Sequence, residues 1–497
     1  MNKIALPFPV LKGSLLVLLA AVLLLFSLVS LPKVGFIVAT ILLLLGWVIT
    51  FYVEGIYELA DIPILFLVLG TFAYGRAFSL IGIPLGNVPL YVTEMMLGGS
   101  LGLLLLERKS LKKLWDEWRL PLPRGLTIVL VAYFLMGTLY LFIGVIGNGI
   151  LALRDIVFCH YLPFLFITLS LLIKQAKIKS VIPFLIPGII IVLYTGLTLF
   201  FIYHSSYPYK YPYKGFLRTA KMFNLSLYFG LIVIFGLSFF AFVKRKIKPV
   251  IGVLIHLSLL FVIMTEIRAS WVGMIVAWIF LTILLKKEIK ILLLILLLMA
   301  GSLFIIDYFQ LAINKEKLAD LKEEIMSIAQ SNLESMRAAN IKWRLSIWKQ
   351  TIDEIRKSPI LGWGYGTQID YMIWNKRLSV LKAIGASTGI LPAHNHVLAV
   401  IYKMGLVGLA LFLFFNFRIF FCGLSYLKKC KSAFNRRFLI ACLASLVYWH
   451  GMAFFFDLLE SPTTGIFLWI LLGAVLGVIY VDRNSENSAA KNVKGCE

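Results

Sequence analysis

Charged residues are scarce in this sequence. Asp, Glu, Lys and Arg make up only 14% of the 497 residues, while apolar residues make up 61%, against about 25% and roughly 45–50% in an ordinary globular chain. So little charge cannot cover the surface of a soluble protein of this length. The apolar residues form about fourteen stretches near the length of one helical crossing of a bilayer. The sequence therefore predicts an all-α polytopic integral membrane protein.

Cysteines are also few, and their positions exclude several kinds of chemistry. Of the five, Cys159 and Cys442 fall in predicted spans and Cys422 follows the end of one, while Cys430 and Cys496 fall on the predicted cytoplasmic side. No CxxC pair occurs. A disulfide on the outer side, a zinc knuckle and a dithiol redox centre are therefore not expected.

Acidic residues are half as numerous as basic ones, so the net charge is +24. The basic residues cluster between apolar runs, at 107–124, 174–179, 244–248, 286–290 and 428–437. Every second connection is thus basic, which is the positive-inside pattern. The charge predicts cytoplasmic connections that touch anionic membrane lipids, and it does not indicate a nucleic-acid partner.

The predicted spans are 13–31, 34–53, 62–82, 88–106, 125–147, 154–173, 180–203, 222–243, 249–267, 269–285, 289–306, 397–416, 438–456 and 463–481. Glycine and proline interrupt the third and fourth spans between 82 and 89, so the chain crosses the membrane about 12–14 times.

The spans divide the chain into five regions. They are N-terminal transmembrane helices without an assigned motif (1–200), transmembrane helices that carry Arg218 and Arg268 (201–306), a large outer loop with short surface helices (307–396), C-terminal transmembrane helices (397–481) and a cytoplasmic tail (482–497).

The large outer loop contains an amphipathic stretch. In IKWRLSIWKQTIDEIRKSP, apolar residues recur at helical spacing from Ile341 to Ile355, which predicts a helix on the membrane surface. The segment SPILGWGYG follows. Its glycines predict a tight turn or, alternatively, a polar pocket lined by backbone amides.

Motifs for nucleotide, metal or serine-nucleophile chemistry are lacking: we find no P-loop, HExxH, paired aspartates or GxSxG. The sequence therefore predicts neither a cofactor nor a bound metal. No internal repeat of the kind that builds many transporters is evident either.

Ionisable residues instead collect on the predicted outer side. Arg218, Arg268 and His394 lie at the outer ends of spans, with His396 beside the last, and Arg344 lies in the predicted surface helix. A charge at the edge of the apolar layer is costly and therefore a functional candidate, although an isolated arginine can also extend to the lipid headgroups. Together, arginines can bind a diphosphate through bidentate contacts, and an imidazole can take a proton from a hydroxyl.

The C-terminal motif resembles that of the O-antigen ligase family of membrane glycosyltransferases. His394, Asn395, Leu398, Gly405 and Gly408 carry this resemblance in HNHVLAVIYKMGLVG. Further likenesses lie upstream, within roughly residues 210–415: Arg344 with Trp348 before SPILGWGYG, Arg268 in TEIRASWVG, and Arg218 with Phe223 and Asn224.

The resemblance implies an inverting, metal-independent transfer of a glycan, the O-antigen, from undecaprenyl diphosphate to a hydroxyl of lipid A-core. It places the reaction at the periplasmic face of the bacterial inner membrane, so that the large outer loop is periplasmic. His394 would be the general base, and Arg344 and Arg268 would stabilise the departing diphosphate. Arg218, Asn395 and His396 would contact substrate, with Asn395 or a nearby carboxylate fixing the His394 tautomer.

Two alternatives remain open at this point. An O-antigen polymerase or a protein O-oligosaccharyltransferase would use the same lipid-linked donor with another acceptor. A transporter or flippase of lipid-linked glycan belongs to a different class, and it would be expected to show repeated halves and ionisable residues near mid-membrane.

Overall fold

The computed structural model describes residues 57–74, 81–85, 88–119, 125–173, 225–265, 267–285, 336–367, 393–456 and 458–494, with short pieces near 46–55, 78, 122–123, 178–193 and 369. These residues do not include Arg218 or several of the predicted spans: 13–31 and 289–306 entirely, nearly all of 34–53 and most of 180–203.

The described part is predominantly α-helical, which confirms the fold class. Its helices are α1 (Ile62–Tyr74), α2 (Val92–Arg108), α3 (Leu111–Arg119), α4 (Leu126–Asn148), α5 (Pro163–Leu171), α6 (Leu225–Phe240), α7 (Lys248–Met264), α8 (Arg268–Leu284), α9 (Met336–Lys357), α10 (His396–Tyr426), α11 (Ala433–Ala453) and α12 (Pro462–Lys494). Short 3-10 segments cover Leu59–Asp61 and Gly149–Phe158.

Among the described residues, three helices are long and apolar enough to cross a bilayer: Leu126–Asn148, His396–Tyr426 and Pro462–Asn484. Leu151–Phe158 and Pro163–Leu171 form a further candidate bent by 43°, and α6, α7 and α8 are shorter apolar helices. In the apolar part of α12, 89% of the residues are buried by protein, whereas in that of α4 only 28% are buried. The chain is thus a multi-pass membrane protein in which α12 is central and α4 presents apolar side chains to lipid.

A β-hairpin occupies the place where glycine and proline interrupt the third and fourth predicted spans. Strands β1 (Gly82–Leu85) and β2 (Val88–Tyr91) pair antiparallel, with Gly82 opposite Tyr91. The preceding helix α1 ends at Tyr74, and α2 begins directly after β2. Residues 82 and 88–91 of the predicted spans 62–82 and 88–106 therefore belong to strands and not to helices, since proline removes backbone donors and disfavours a helix.

Helices α6 and α11 are antiparallel neighbours. The Tyr448 hydroxyl donates to the carbonyl oxygen of Ser226 over 2.8 Å at one end of the pair. At the other end, the rings of Phe239 and Phe434 are 5.2 Å apart. The start of α6 therefore lies beside the end of α11.

The hairpin of α7 and α8 continues this arrangement. Phe229 near the start of α6 stacks on Phe261 near the end of α7, with ring centroids 4.8 Å apart, so these helices are antiparallel. Helix α8 then packs back on α7, since Trp271 Nε1 donates to the Val262 carbonyl oxygen over 3.1 Å. Consequently α6 and α8 begin, and α7 and α11 end, at the same end of the bundle, which we call the Arg268 end because that residue opens α8.

Helix α10 is broken at Gly405. Its backbone there is non-helical, with φ +66° and ψ −172°. The rings of His396 and Phe412 are 5.9 Å apart, although residues sixteen positions apart in a straight helix are separated by about 24 Å. The chain therefore folds back sharply at Gly405, and the predicted span 397–416 consists of a half-helix, His396–Met404, and a longer second helix that continues to Tyr426.

The glycine-rich segment 358–367 supplies the hydrogen bonds that this break removes. Trp363 N donates to the Tyr402 carbonyl over 2.8 Å and Gly364 N to the Lys403 carbonyl over 2.9 Å, while Leu406 N donates to the Pro359 carbonyl over 2.8 Å. The amides of 363 and 364 are thus engaged with the broken helix, which favours the tight-turn interpretation of this segment over an open polar pocket.

Substitution of Gly405 is expected to be severely destabilising. A Cβ at this position would collide with the Ile360 carbonyl oxygen, and the positive φ disfavours any side chain. We expect Gly405→Ala to lower the melting temperature strongly, since overpacking and backbone strain each cost about 1–3 kcal/mol. Gly98→Ala in α2, where a Cβ has open space, is the control and should be neutral or slightly stabilising. Equal melting temperatures for the two variants would contradict the description of the break.

Candidate functional site

The turn that follows α11 is the centre of the candidate site. It contains three consecutive phenylalanines, Phe454–Phe456, just beyond the Arg268 end of α11. Arg344 on α9 donates from Nη1 to the Phe455 carbonyl oxygen over 3.2 Å. The His394 ring lies 6.4 Å from the Phe456 ring, centroid to centroid. Two of the residues predicted to act together, fifty positions apart in the chain, therefore contact the same short turn.

Trp348 links these two residues. It lies one helical turn after Arg344 on α9, so both side chains share a face. Its indole ring packs against Phe455, with centroids 6.3 Å apart, and its Nε1 donates to the Ala393 carbonyl oxygen over 3.0 Å. Trp348 thus fixes the residue immediately before His394.

The backbone of His394 is unusual. Its φ is +50°, in the left-handed region that few residues other than glycine adopt. On its other side, the Asn395 side-chain oxygen accepts hydrogen bonds from Val397 N over 2.9 Å and Leu398 N over 3.2 Å. Asn395 is therefore the N-cap of the half-helix. Since a strained conformation persists only when its surroundings enforce it, the contacts of Trp348 and Asn395 hold His394 in place.

Arg268 reaches the same end of the bundle on α8. Helices α8 and α11 touch closely, because a Cβ on Gly451 would lie 2.9 Å from the Gly273 Cα. Ser270 and Tyr448 are joined by a hydrogen bond of 2.6 Å between their hydroxyls. Arg268 begins α8 one to two turns before Gly273, and Phe454 follows Gly451 by three residues in the antiparallel partner. This brings Arg268 to the level of Phe454–Phe456, which we call the phenylalanine turn.

His396 is buried beneath the site. Only 4% of its surface is exposed, and its ring packs 5.7 Å from Trp449 and 5.8 Å from His450 between centroids. His450 Nε2 lies 3.3 Å from the Asn416 side-chain oxygen. The position of His396 therefore suits packing under the half-helix.

Several residues of this region were missed by the sequence analysis. The predicted span 438–456 includes the turn Phe454–Phe456. The buried ion pair of 2.8 Å between Asp155 and Lys403 was also not identified from the sequence. Lysine two residues before Gly405 inside an apolar run was a signal for a buried partner. Nothing local to Asp155 indicated that its partner would lie 248 positions away.

Residues 253–413 match the family model described as O-Antigen ligase. This confirms the resemblance over about a third of the chain, from within α7 to the second part of α10. The matched region contains Arg268, Arg344 and the segment His394–His396, and it supports a place in the O-antigen ligase and polymerase superfamily of glycosyltransferases. It excludes Arg218, Asp155 and the phenylalanine turn. No curated protein matched the chain.

The cap at Asn395 can be separated from a contact of its amide with substrate. Asn395→Asp keeps an oxygen that can accept from Val397 N and Leu398 N, whereas Asn395→Ala removes it and should cost about 0.5–2 kcal/mol. If Asn395 serves only as a cap, we expect thermal unfolding to show near-normal stability for the aspartate variant and a loss for alanine, with function following the same order. Equal functional losses in both variants, with stability retained by Asn395→Asp, would instead assign a role to the amide nitrogen.

Proposed function

We propose that this protein is an O-antigen ligase, which transfers a glycan from undecaprenyl diphosphate to a sugar hydroxyl of lipid A-core at the periplasmic face of the inner membrane. The observation that carries the proposal is the meeting of Arg344 and His394 at the phenylalanine turn, at the end of the bundle where Arg268 opens α8. The family match covers all three residues.

In this proposal the arginines stabilise the leaving group. Bond cleavage at the anomeric carbon leaves negative charge on the diphosphate, and fixed positive charges placed there lower the barrier. Arg344 Nη1 donates to the Phe455 carbonyl, which orients the guanidinium at the turn. A guanidinium is planar and carries five N–H donors, a geometry that suits contact with phosphoryl oxygens. No protonating acid is then required, because the lipid diphosphate is already a good leaving group.

His394 acts on the acceptor. Its imidazole accepts the proton of the attacking hydroxyl as the new glycosidic bond forms and the bond to the diphosphate breaks. Attack from the face opposite the leaving group inverts the anomeric configuration. The enforced backbone of His394, held between Trp348 and the Asn395 cap, suits a residue whose ring must keep one orientation.

An exposed apolar surface beside the break in α10 suits the polyprenyl chain of the donor. Exposed apolar residues of the glycine-rich segment, Ile360 and Leu361, lie beside exposed Leu406 and Val407 of α10. We expect this exposed apolar surface to face the bilayer, so that a polyprenyl chain can remain there while its headgroup is at the site.

A reconstituted transfer reaction tests the proposal. Purified protein in liposomes, given undecaprenyl-diphosphate-linked glycan and lipid A-core, should produce glycan on lipid A-core. We expect His394→Ala to reduce the rate by roughly 10²–10⁴-fold, the usual contribution of a general base. His256→Ala, in the middle of α7, is the control and should retain activity. Growth of the glycan on undecaprenyl diphosphate would instead indicate a polymerase, transfer to protein an oligosaccharyltransferase, and movement across the bilayer without transfer a flippase.

Arginine-to-lysine exchanges distinguish phosphate binding from simple extension to the headgroups. Lysine can extend equally well but lacks the planar fork. We expect Arg344→Lys and Arg268→Lys to lose at least tenfold in rate at saturating donor, since a lost charge-assisted hydrogen bond is worth about 1.5–3 kcal/mol. Arg356→Lys, an exposed residue on α9 paired with Asp353, is the matched control and should behave like the wild type. Normal turnover by both site variants would remove the arginines from the mechanism.

A further inference from the structure

A buried ion pair lies beside the break in α10. Lys403 Nζ is 2.8 Å from Asp155 Oδ2, and the two side chains are only 9% and 10% exposed. Lys403 occupies the last turn of the half-helix, and Asp155 belongs to the 3-10 segment between α4 and α5. The pair therefore connects the broken helix to a distant part of the chain.

Both members also bind the glycine-rich segment. Gly366 N donates to Asp155 Oδ2 over 2.7 Å, and Lys403 Nζ donates to the Thr367 carbonyl oxygen. The neighbouring Tyr365 carbonyl accepts from Asn148 Nδ2 over 2.8 Å. Three separate elements thus converge on one pair of opposite charges: the half-helix, the glycine-rich segment and the connection from α4 to α5.

Stability alone does not account for such a pair. Removing two charges from water is costly, and well-packed uncharged residues of similar volume often replace a buried ion pair without loss of stability. The charges add directional contacts. Each member combines the ionic contact with a specific contact to the backbone of the glycine-rich segment, and this combination favours one register of the three elements.

We propose that Asp155 and Lys403 are positioning residues that set the orientation of His394. The half-helix has nine residues, so it is about 13 Å long, with His394 and its Asn395 cap adjoining one end and Lys403 at the other. Because a short helix moves as a rigid rod, displacement of the Lys403 end changes the position of the His394 end. A misplacement of about 1 Å can lower a rate by roughly 10²-fold. The inference rests on the proposed function of His394.

A double variant separates this role from a structural one. Lys403→Met alone leaves the Asp155 charge buried without its partner and is expected to impair folding. Asp155→Asn combined with Lys403→Met removes both charges and keeps similar volumes, and Asp155→Asn with Lys403→Gln is a second neutral pair. For whichever folds, we expect a melting temperature near the wild type, a kcat at least tenfold lower and a donor KM within about twofold. Hydrogen exchange of the amides of 396–404 should be faster, with α11 and α12 unchanged.

Tyr426→Phe is the control for an ordinary structural loss. It removes the hydrogen bond of 3.1 Å to Asp482 at the far end of α10, and it should leave both kcat and the exchange of 396–404 unchanged. A folded neutral pair with wild-type kcat, or with unaltered exchange of 396–404, would overturn the inference. If the wild-type protein transfers no glycan, the proposed function fails, whereas the exchange measurement still decides whether the pair fixes the half-helix.

Discussion

The need to satisfy backbone hydrogen bonds within a bilayer is the constraint on which this structure depends. Lipid offers no partners for free N–H and C=O groups, so non-helical backbone is tolerated there only where protein supplies them. The break at Gly405 exposes such groups in the middle of α10, and the glycine-rich segment pairs with them on both sides. Glycine is needed because the two backbones approach too closely for a side chain: a Cβ at Gly362 would lie 2.6 Å from Gly405 N.

The candidate site follows from this break. Because α10 folds back at Gly405, its first half packs against its second half, and His394 lies at the turn that follows α11. The same segment that repairs the break follows directly after α9, which carries Arg344 and Trp348. One local interruption of a helix thus brings together residues about fifty positions apart in the large loop, and the Asp155–Lys403 pair joins it to the connection between α4 and α5.

The sequence predicted the class of fold, and it singled out the arginines and the histidine of the candidate site, because both inferences depend on local patterns. Long apolar runs with basic connections indicate membrane helices, and the spacing of Arg344 and Trp348 indicates one helical face. The broken helix was harder to predict, since 397–416 is apolar except for Lys403 and Asn416 and one glycine does not by itself interrupt a helix. The cap at Asn395 had a local signal, an asparagine directly before an apolar run, although it was interpreted as a contact for substrate. The Asp155–Lys403 pair and the phenylalanine turn depend on tertiary packing between distant segments, which no local pattern specifies.

The close contact of α8 and α11 at Gly273 and Gly451 has a consequence for chain length. With no side chains between them, the two backbones define a fixed point, and the phenylalanine turn is counted from that point along α11. One inserted residue between Gly451 and Phe454 would rotate the Phe455 carbonyl by about 100° around the helix axis and advance it by about 1.5 Å. The contact with Arg344 would be lost although every amino acid at the site remained. The number of residues between the glycine contact and the turn is therefore as much a part of the site as the side chains themselves.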